Sequence, residues 1–406
     1  MQVSVVPQYP LALGDDELFN ADEYDPTRAY GTDRTGFAAV HERFAADGHN
    51  IHTMDVLSPT EADAVIFVDM DFDVLDRLLD LSPSRRPAFV YLMREPPSVR
   101  WYNSAAELPR FATVFDAVVT WNGRLADAHG FYEYNIPQYL EINKGDLPSF
   151  DDRTLLTNVS SRKYSKHPDE LYSERERIAR FYDEYHSEKF TLHGRYWNDP
   201  PRKEDIYHHM KLRPHTYRTY GGVVDDKIAV YGHHRFALAF ENMTGIEGYL
   251  TEKLFDCLRA RTVPVYWGAN DVERYVPREA FVDYRKFGTP ERLHAFLDSM
   301  DAEMHRAYLE AASAFLKSGT DPVGPSQYAE TLYTATKEAQ ESEWSAPSAS
   351  LREEIRARGL LKRLESRPKS LSKMECVAGL LGAVRKYPAM VRERPSAVLE
   401  SLKCVL

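Results

Sequence analysis

The sequence predicts an α/β protein made of two doubly wound units. Short apolar runs rich in β-branched residues recur between helical patterns, and one polar stretch interrupts that rhythm after the first third. At 406 residues the chain also exceeds what one hydrophobic core usually supports.

Taken in order, Val3-Ser4-Val5-Val6 reads as an opening strand, and Phe37, Val40 and Phe44 fall on one face of a helix. The runs 64–68, 88–92 and 115–119 read as further strands, with a helix carrying Val74, Leu75, Leu78 and Leu79 between the first two. Strands alternating with helices imply parallel pairing through right-handed crossovers. Residues 144–153, with Gly145, Pro148 and the pair Asp151-Asp152, read as a linker. The rhythm then resumes with a helix carrying Tyr172, Ile178, Phe181 and Tyr182 and strands at 190–192, 236–240 and 263–267. The expected division is a first unit over 1–145, a second over 150–340 and a C-terminal extension over 341–406.

Composition narrows the function. With 51 Lys+Arg against 62 Asp+Glu the net charge is -11, which disfavours general binding to a phosphate polymer. Cys257, Cys376 and Cys404 fit neither a disulfide framework nor a structural zinc site. Residues 1–10 lack a basic segment followed by an apolar one, and no run reaches membrane-spanning length, so a cytoplasmic protein is expected. Residues 346–406 differ, with 13 Lys+Arg and 6 Asp+Glu. Leu351, Ile355, Leu361 and Leu364 lie near helical spacing there. Such a basic helix can rest on an anionic membrane surface or pack on its own protein.

The segment 236–267 carries the most chemistry. A strand ends at Glu241-Asn242, Gly245 and Gly248 allow a tight loop, and Thr251 is placed to cap a helix leading to the next strand. Loops at the carboxyl ends of such strands bind ligands, and a helix start attracts anions. Lys253 could neutralise a diphosphate, and Glu252 could accept hydrogen bonds from sugar hydroxyls. A surface ion pair at the helix terminus is the plain alternative.

The run Phe236-Ala-Leu-Ala-Phe-Glu-Asn242, then Gly248-Tyr-Leu-Thr-Glu-Lys-Leu254, Thr262-Val-Pro-Val-Tyr-Trp-Gly268, Pro277 and Phe281-Val-Asp283 resembles the signature of the α-1,3/α-1,4-fucosyltransferases, glycosyltransferase family 10. The resemblance implies the GT-B fold, two Rossmann-like domains facing across a cleft. It also implies an inverting, metal-independent transfer of L-fucose from GDP-fucose to a glycan or glycoconjugate hydroxyl, in α-1,3 linkage, with no further cofactor. By the same resemblance Lys253 and Arg218 would contact the diphosphate, and Asn242, Tyr249 and Glu252 the ribose or fucose. Arg195, in the loop His193-Gly194-Arg195-Tyr196-Trp197, could approach the diphosphate or guanine, whereas Trp197 suits packing.

Inversion needs a base on the acceptor side. Arg94-Glu95-Pro96-Pro97 follows a strand, the prolines fix its turn, and it resembles the family's glutamate-proline element, which makes Glu95 the candidate base. Taken locally, Glu95 reads as a solvated turn carboxylate or an ion pair with Arg94 or Arg100, and only the family resemblance favours catalysis. Asp69-Met70-Asp71 resembles a metal-binding carboxylate pair of a different glycosyltransferase fold, a short pattern that arises by chance. His208-His209 and His233-His234 lack the carboxylate spacing that would complete a metal site. Asn158 and Asn242 begin glycosylation patterns expected to be coincidental. Two readings compete with the fucosyltransferase one: the same fold with another GDP-sugar, and a non-catalytic carbohydrate-binding protein. The joint presence of Glu95, Arg218, Glu252 and Lys253 weighs against the latter.

Overall fold

A computed structural model describes residues 1–8, 12–20, 33–198, 212, 214–318 and 323–366. The first sheet contains β1 (Gln2–Val6), β2 (Asn50–Thr53), β3 (Ala64–Val68), β4 (Ala88–Leu92), β5 (Ala117–Thr120) and β6 (Tyr132–Glu133). Its order is β2-β1-β3-β4-β5-β6 with every pair parallel. Helices α1 (Asp33–Ala46), α2 (Phe72–Leu78), α3 (Leu108–Ala112) and α4 (Gly123–His129) cross between its strands. All five residues of β3 and all five of β4 are buried. Burial on both faces is why these runs are continuously apolar rather than alternating.

The second sheet contains β7 (Thr154–Val159), β8 (Phe190–His193), β9 (His234–Phe240), β10 (Val263–Trp267) and β11 (Val282–Asp283), with α5 (Tyr172–Tyr185), α6 (Lys227–Gly232), α7 (Glu252–Arg259), α8 (Pro290–Ser299) and α9 (Ala302–Lys317). Its parallel order is β11-β10-β9-β7-β8. Both sheets are doubly wound, as expected of a GT-B protein.

The chain then returns to the first unit. In α10 (Pro325–Glu341) the buried residues Tyr328, Leu332, Ala335 and Ala339 form one helical stripe. That stripe packs on the first sheet's core, with the Tyr328 ring 5.9 Å from Phe37 and 5.2 Å from Tyr134, and Tyr333 5.1 Å from Phe44. The expected second unit over 150–340 therefore surrenders its last helix to the first. Periodicity identifies an apolar stripe without saying which core receives it.

The basic helix α11 (Ala349–Ser366) also docks on the first unit. Leu351, Ile355 and Leu361 are buried. Arg352 pairs with Asp76 and Asp80, Lys362 with Asp71, and Arg363 with Asp73. Gly359 permits the contact, since a Cβ there would lie 2.7 Å from the Phe72 carbonyl oxygen. The charges of this helix thus meet aspartates of α2, of its N-cap and of the turn just after it, and the packed reading holds for 349–363. Residues 367–406, which carry the rest of the basic extension with Cys376 and Cys404, lie outside the described residues. No helix among the described residues is long and apolar enough to cross a membrane.

His234, at the start of β9, is satisfied within the core rather than available as a ligand. Its Nδ1 lies 2.7 Å from the Val230 carbonyl and its Nε2 2.8 Å from Thr191 Oγ1. Burial pushes its imidazole down to about 4. A histidine with a depressed folded pKa contributes full stability above its unfolded value of ~6.5 and loses it as pH falls toward the folded value, here roughly 3 kcal/mol. His234→Gln is therefore expected to flatten the dependence of Tm on pH between about 6.5 and 4. An unchanged slope in thermal melts across that window would contradict the assignment.

Candidate active site

In the second sheet the strand order reverses between β7 and β9, so the loops at their carboxyl ends diverge and leave a crevice. Helices α5 and α7 both start there. Glu241, directly after β9, is fully buried; its Oε1 accepts from the Thr251 amide at 2.8 Å and its Oε2 from the Thr251 hydroxyl at 2.7 Å. Thr251 occupies the expected N-cap position of α7, but its side chain serves Glu241 and makes no cap to the helix. The helix start is therefore left without a side-chain acceptor from its N-cap, an arrangement that suits an incoming anion.

Lys253 stands over this helix start. Its Nζ lies 2.9 Å from Thr251 Oγ1, 3.1 Å from Glu252 Oε1 and 3.6 Å from Glu241 Oε2. Burial alone would raise the Glu252 carboxyl, but the charges of Lys253 and Lys227 hold it well below the usual carboxylate range. Burial wins at Glu241, whose carboxyl is pushed up despite Lys253. Arg175, buried in the first turn of α5, donates through Nη2 to the carbonyls of Phe240 at 2.5 Å and Glu241 at 2.7 Å, and lies 3.3 Å from Asn242 Oδ1. Asn242 in turn donates its amide to the Tyr249 hydroxyl at 3.2 Å.

The first unit meets this crevice through the carboxyl ends of its own strands. The turn bearing Glu95 follows β4, and Trp121 follows β5. Trp121 donates its indole N–H to the Arg94 carbonyl at 3.0 Å and packs its ring 4.8 Å from Tyr249. Gly248 (φ 77°) makes that approach possible, because a Cβ there would lie 2.3 Å from the Trp121 carbonyl oxygen. From the loop after β7, Ser165 donates to the Ser98 carbonyl at 2.8 Å, tying the second unit to the Glu95 turn. Lys163, on the same loop, senses both sides. Lys163 keeps an accessible side chain, yet the protein packed around it desolvates its amine and pushes it down; the Glu95 charge pulls it up, and Arg175 and Lys253 push it down further. Burial also raises the Tyr249 hydroxyl well above its usual value, helped by Glu95 and Glu241.

Of the residues singled out from sequence, Glu95, Asn242, Tyr249, Glu252 and Lys253 come near one another here: Asn242 and Tyr249 share a hydrogen bond, Glu252 and Lys253 an ion pair, and the Glu95 charge acts on Tyr249. Arg195 lies exposed on the loop after β8, where its carbonyl accepts from the Arg162 amide at 2.9 Å. The neighbouring Trp197 is packed, donating to the Ser160 carbonyl at 2.6 Å with its ring 5.1 Å from Tyr217. Arg218 goes elsewhere: its guanidinium donates to the carbonyl of Asp183 near the C-terminal end of α5. At ~1.5 Å per residue, Asp183 lies roughly 16 Å along α5 from Tyr172 at the crevice. Asp183 draws that segment down by accepting from the Thr219 amide at 2.9 Å and hydroxyl at 3.0 Å. Among the described residues, Lys163 and Arg175 stand near the crevice besides Lys253, as the charges of Arg175 and Lys253 act together on the Lys163 amine. Neither stands in a recognisable motif; the only sequence signal is a basic residue near the carboxyl end of a central strand, and the central strand β7 itself sits beside the polar linker.

Asp69 and Asp71 are each committed to the first unit's own structure. Asp69 accepts from backbone amides of the Glu95 turn, while Asp71 caps α2 and pairs with Lys362. Among the described residues no group of three or more His, Cys, Asp or Glu side chains is arranged to hold a metal. His208 and His209 lie outside the described residues. Asn158 is buried within β7, at 1% exposure, so its glycosylation pattern is closed to modification in the folded protein.

Residues 203–313 match the family model described as glycosyltransferase family 10 (fucosyltransferase) C-term. An alpha-(1,4)-fucosyltransferase of Arabidopsis thaliana is 36% identical over 96 residues, covering 24% of this chain and 19% of that protein. The 4-galactosyl-N-acetylglucosaminide 3-alpha-L-fucosyltransferase 9 of Mus musculus is 31% identical over 112 residues, covering 26% of this chain and 31% of that protein. The matched region thus spans a third or less of the length of these curated relatives. Among solved structures, an alpha1,3-fucosyltransferase with GDP-fucose aligns with a TM-score of 0.45 at 16% identity, covering 86% of this chain and 92% of that one. Anabaena Alr3699/HepE in complex with UDP aligns with a TM-score of 0.49 at 14% identity, covering 82% of this chain and 100% of that one.

Proposed function

We propose that the chain, whose residues 203–313 match the model described as glycosyltransferase family 10 (fucosyltransferase) C-term, is an inverting fucosyltransferase that moves L-fucose from GDP-fucose to a glycan hydroxyl. The observation that carries this reading is Lys253 at the start of α7, held between Glu241 and Glu252, with the Glu95 turn of the other unit across the crevice. The alcohol oxygen of the acceptor attacks C1 of fucose from the face opposite the diphosphate, and Glu95 takes its proton. The bond from C1 to the diphosphate oxygen breaks, and GDP departs with the bonding electron pair. Lys253, Lys163 and the amides at the start of α7 stabilise the charge that develops on that oxygen. Glu252, Asn242 and Tyr249 are positioned for hydroxyl groups of the donor, and Arg175 shapes their backbone rather than meeting the donor itself.

The name of the mouse relative supplies an acceptor to try first, a 4-galactosyl-N-acetylglucosaminide, with transfer to its 3-hydroxyl. Titration calorimetry with a panel of GDP-sugars is expected to give the tightest binding for GDP-fucose, and mass-shift scoring of a glycan array is expected to register addition of one deoxyhexose. Tighter binding of a different GDP-sugar would remove fucose from the proposal. Absence of GDP release with every acceptor would favour a carbohydrate-binding protein.

A further inference from the structure

The pair Asp69-Met70-Asp71 leaves a buried carboxylate that the reaction as described does not use. Asp69 is the first residue after β3, is only 3% exposed and holds a left-handed backbone at φ 56°. Aspartate tolerates that conformation better than most side chains, although it remains costly. The conformation brings the carboxylate under the turn that follows β4. Its Oδ1 accepts from the Arg94 amide at 3.1 Å and its Oδ2 from the Glu95 amide at 3.1 Å. Asn103 completes the grip, since its Nδ2 donates both to Asp69 Oδ1 at 2.8 Å and to the Glu95 carbonyl at 2.7 Å. The Tyr91 hydroxyl fills the space between Asp69 and the Asn103 side-chain carbonyl. Both backbone polar groups of Glu95 are thereby fixed by side chains from two other segments.

We propose that Asp69, acting with Asn103, is a positioning residue that holds the Glu95 turn in register with the donor crevice. The inference rests on the reading of Glu95 as the base. A carboxylate suits the task because, ionised, it only accepts, and two converging backbone amides need acceptors. Burial raises the Asp69 carboxyl to about 6, with Arg100 opposing and the Glu95 charge adding, so Asp69 and Glu95 lie close enough for each to feel the other's charge. A displacement of the base of about 1 Å can cost on the order of 100-fold in rate. The grip therefore affects turnover far more than affinity.

The test compares Asp69→Asn, Asn103→Ala, Glu95→Gln and the double variant Asp69→Asn/Glu95→Gln, reading GDP release from GDP-fucose with the best acceptor of the glycan array. Asp69→Asn keeps the shape but presents a donor to one of the two amides. It is expected to lower kcat by about 10- to 100-fold with KM for GDP-fucose within about twofold. Asn103→Ala should follow the same pattern while leaving the carboxylate in place, which covers the case in which Asp69→Asn does not fold. If Asp69 acts through Glu95, the double variant is no slower than Glu95→Gln alone. Amide hydrogen exchange on the unliganded protein supplies a readout that needs no turnover, with protection at Arg94 and Glu95 lost in Asp69→Asn. Wild-type kcat in Asp69→Asn, a further tenfold loss in the double variant, or unchanged protection of those amides would overturn the proposal. Wild-type kcat in Glu95→Gln would instead remove the base assignment, whatever Asp69→Asn does.

Discussion

Glu95→Gln is expected to lower kcat by about 100- to 10,000-fold, the usual contribution of a general base, while the affinity for GDP-fucose stays within a factor of about two. The substitution keeps the shape of the side chain and the backbone grip on the turn, because Asp69 and Asn103 hold the Glu95 amide and carbonyl rather than its carboxylate. What it removes is the only function assigned to that carboxylate, accepting a proton as the acceptor oxygen bonds to C1. Single-turnover measurement of GDP release alongside titration calorimetry separates the two quantities. Equal losses in binding and turnover would mean that Glu95 holds the donor instead.

Lys253→Met is expected to cost about 100- to 1,000-fold in kcat/KM for GDP-fucose, the scale seen when a group that stabilises developing negative charge is removed. Nucleotides locate the effect. GDP should bind much more weakly to the variant, whereas GMP, which lacks the second phosphate, should bind nearly as before. A parallel loss for GMP would move Lys253 away from the diphosphate. The variant also needs a thermal melt, because removing the cation takes away the charge that opposes burial at Glu241 and leaves Glu252 without its nearest partner. Lys253→Arg restores the charge and should recover stability more fully than catalysis, since a guanidinium fork does not reproduce a compact ammonium.

Much of the site was legible in the sequence because its parts are local. Glu241 through Lys253 lie within one strand-loop-helix passage, and the periodicity of the flanking strands, the glycines and the helix start are all short-range signals. The structure retains that passage as β9, the Gly248 loop and α7. The place of Glu95 is set by the same kind of signal, just beyond an apolar strand and before two prolines, whereas its role as a base comes only from the family resemblance. Arg218 shows where such reasoning stops. A basic residue in a loosely patterned loop carries no local mark of its partner, and Asp183 holds this one at the far end of α5. Lys163 and Arg175 carry no local mark because β7, with Thr154, Thr157 and Asn158 among its six residues, looks too polar for a central strand and adjoins the linker. Asp69 reads as half of a metal motif because sequence displays the spacing of two carboxylates without displaying the amides one of them serves.

By itself the sequence determined that this chain forms two parallel, doubly wound sheets, where most of their strands lie, and that a lysine-bearing helix start and a glutamate turn each sit at the carboxyl end of a strand. Those properties follow from side-chain alternation, branching and capping within about ten residues of each position. Only the tertiary structure decided that the two strand ends share one crevice, which cations stand near it, that Asp69 and Asn103 hold the glutamate turn, and that α10 and α11 cross back onto the first unit. Each of these depends on strand order and on which apolar stripe meets which core. Contacts between residues a hundred or more positions apart, such as Trp121 with Tyr249 or Arg352 with Asp76, are set by packing and charge complementarity across the whole molecule and leave no periodic trace along the chain.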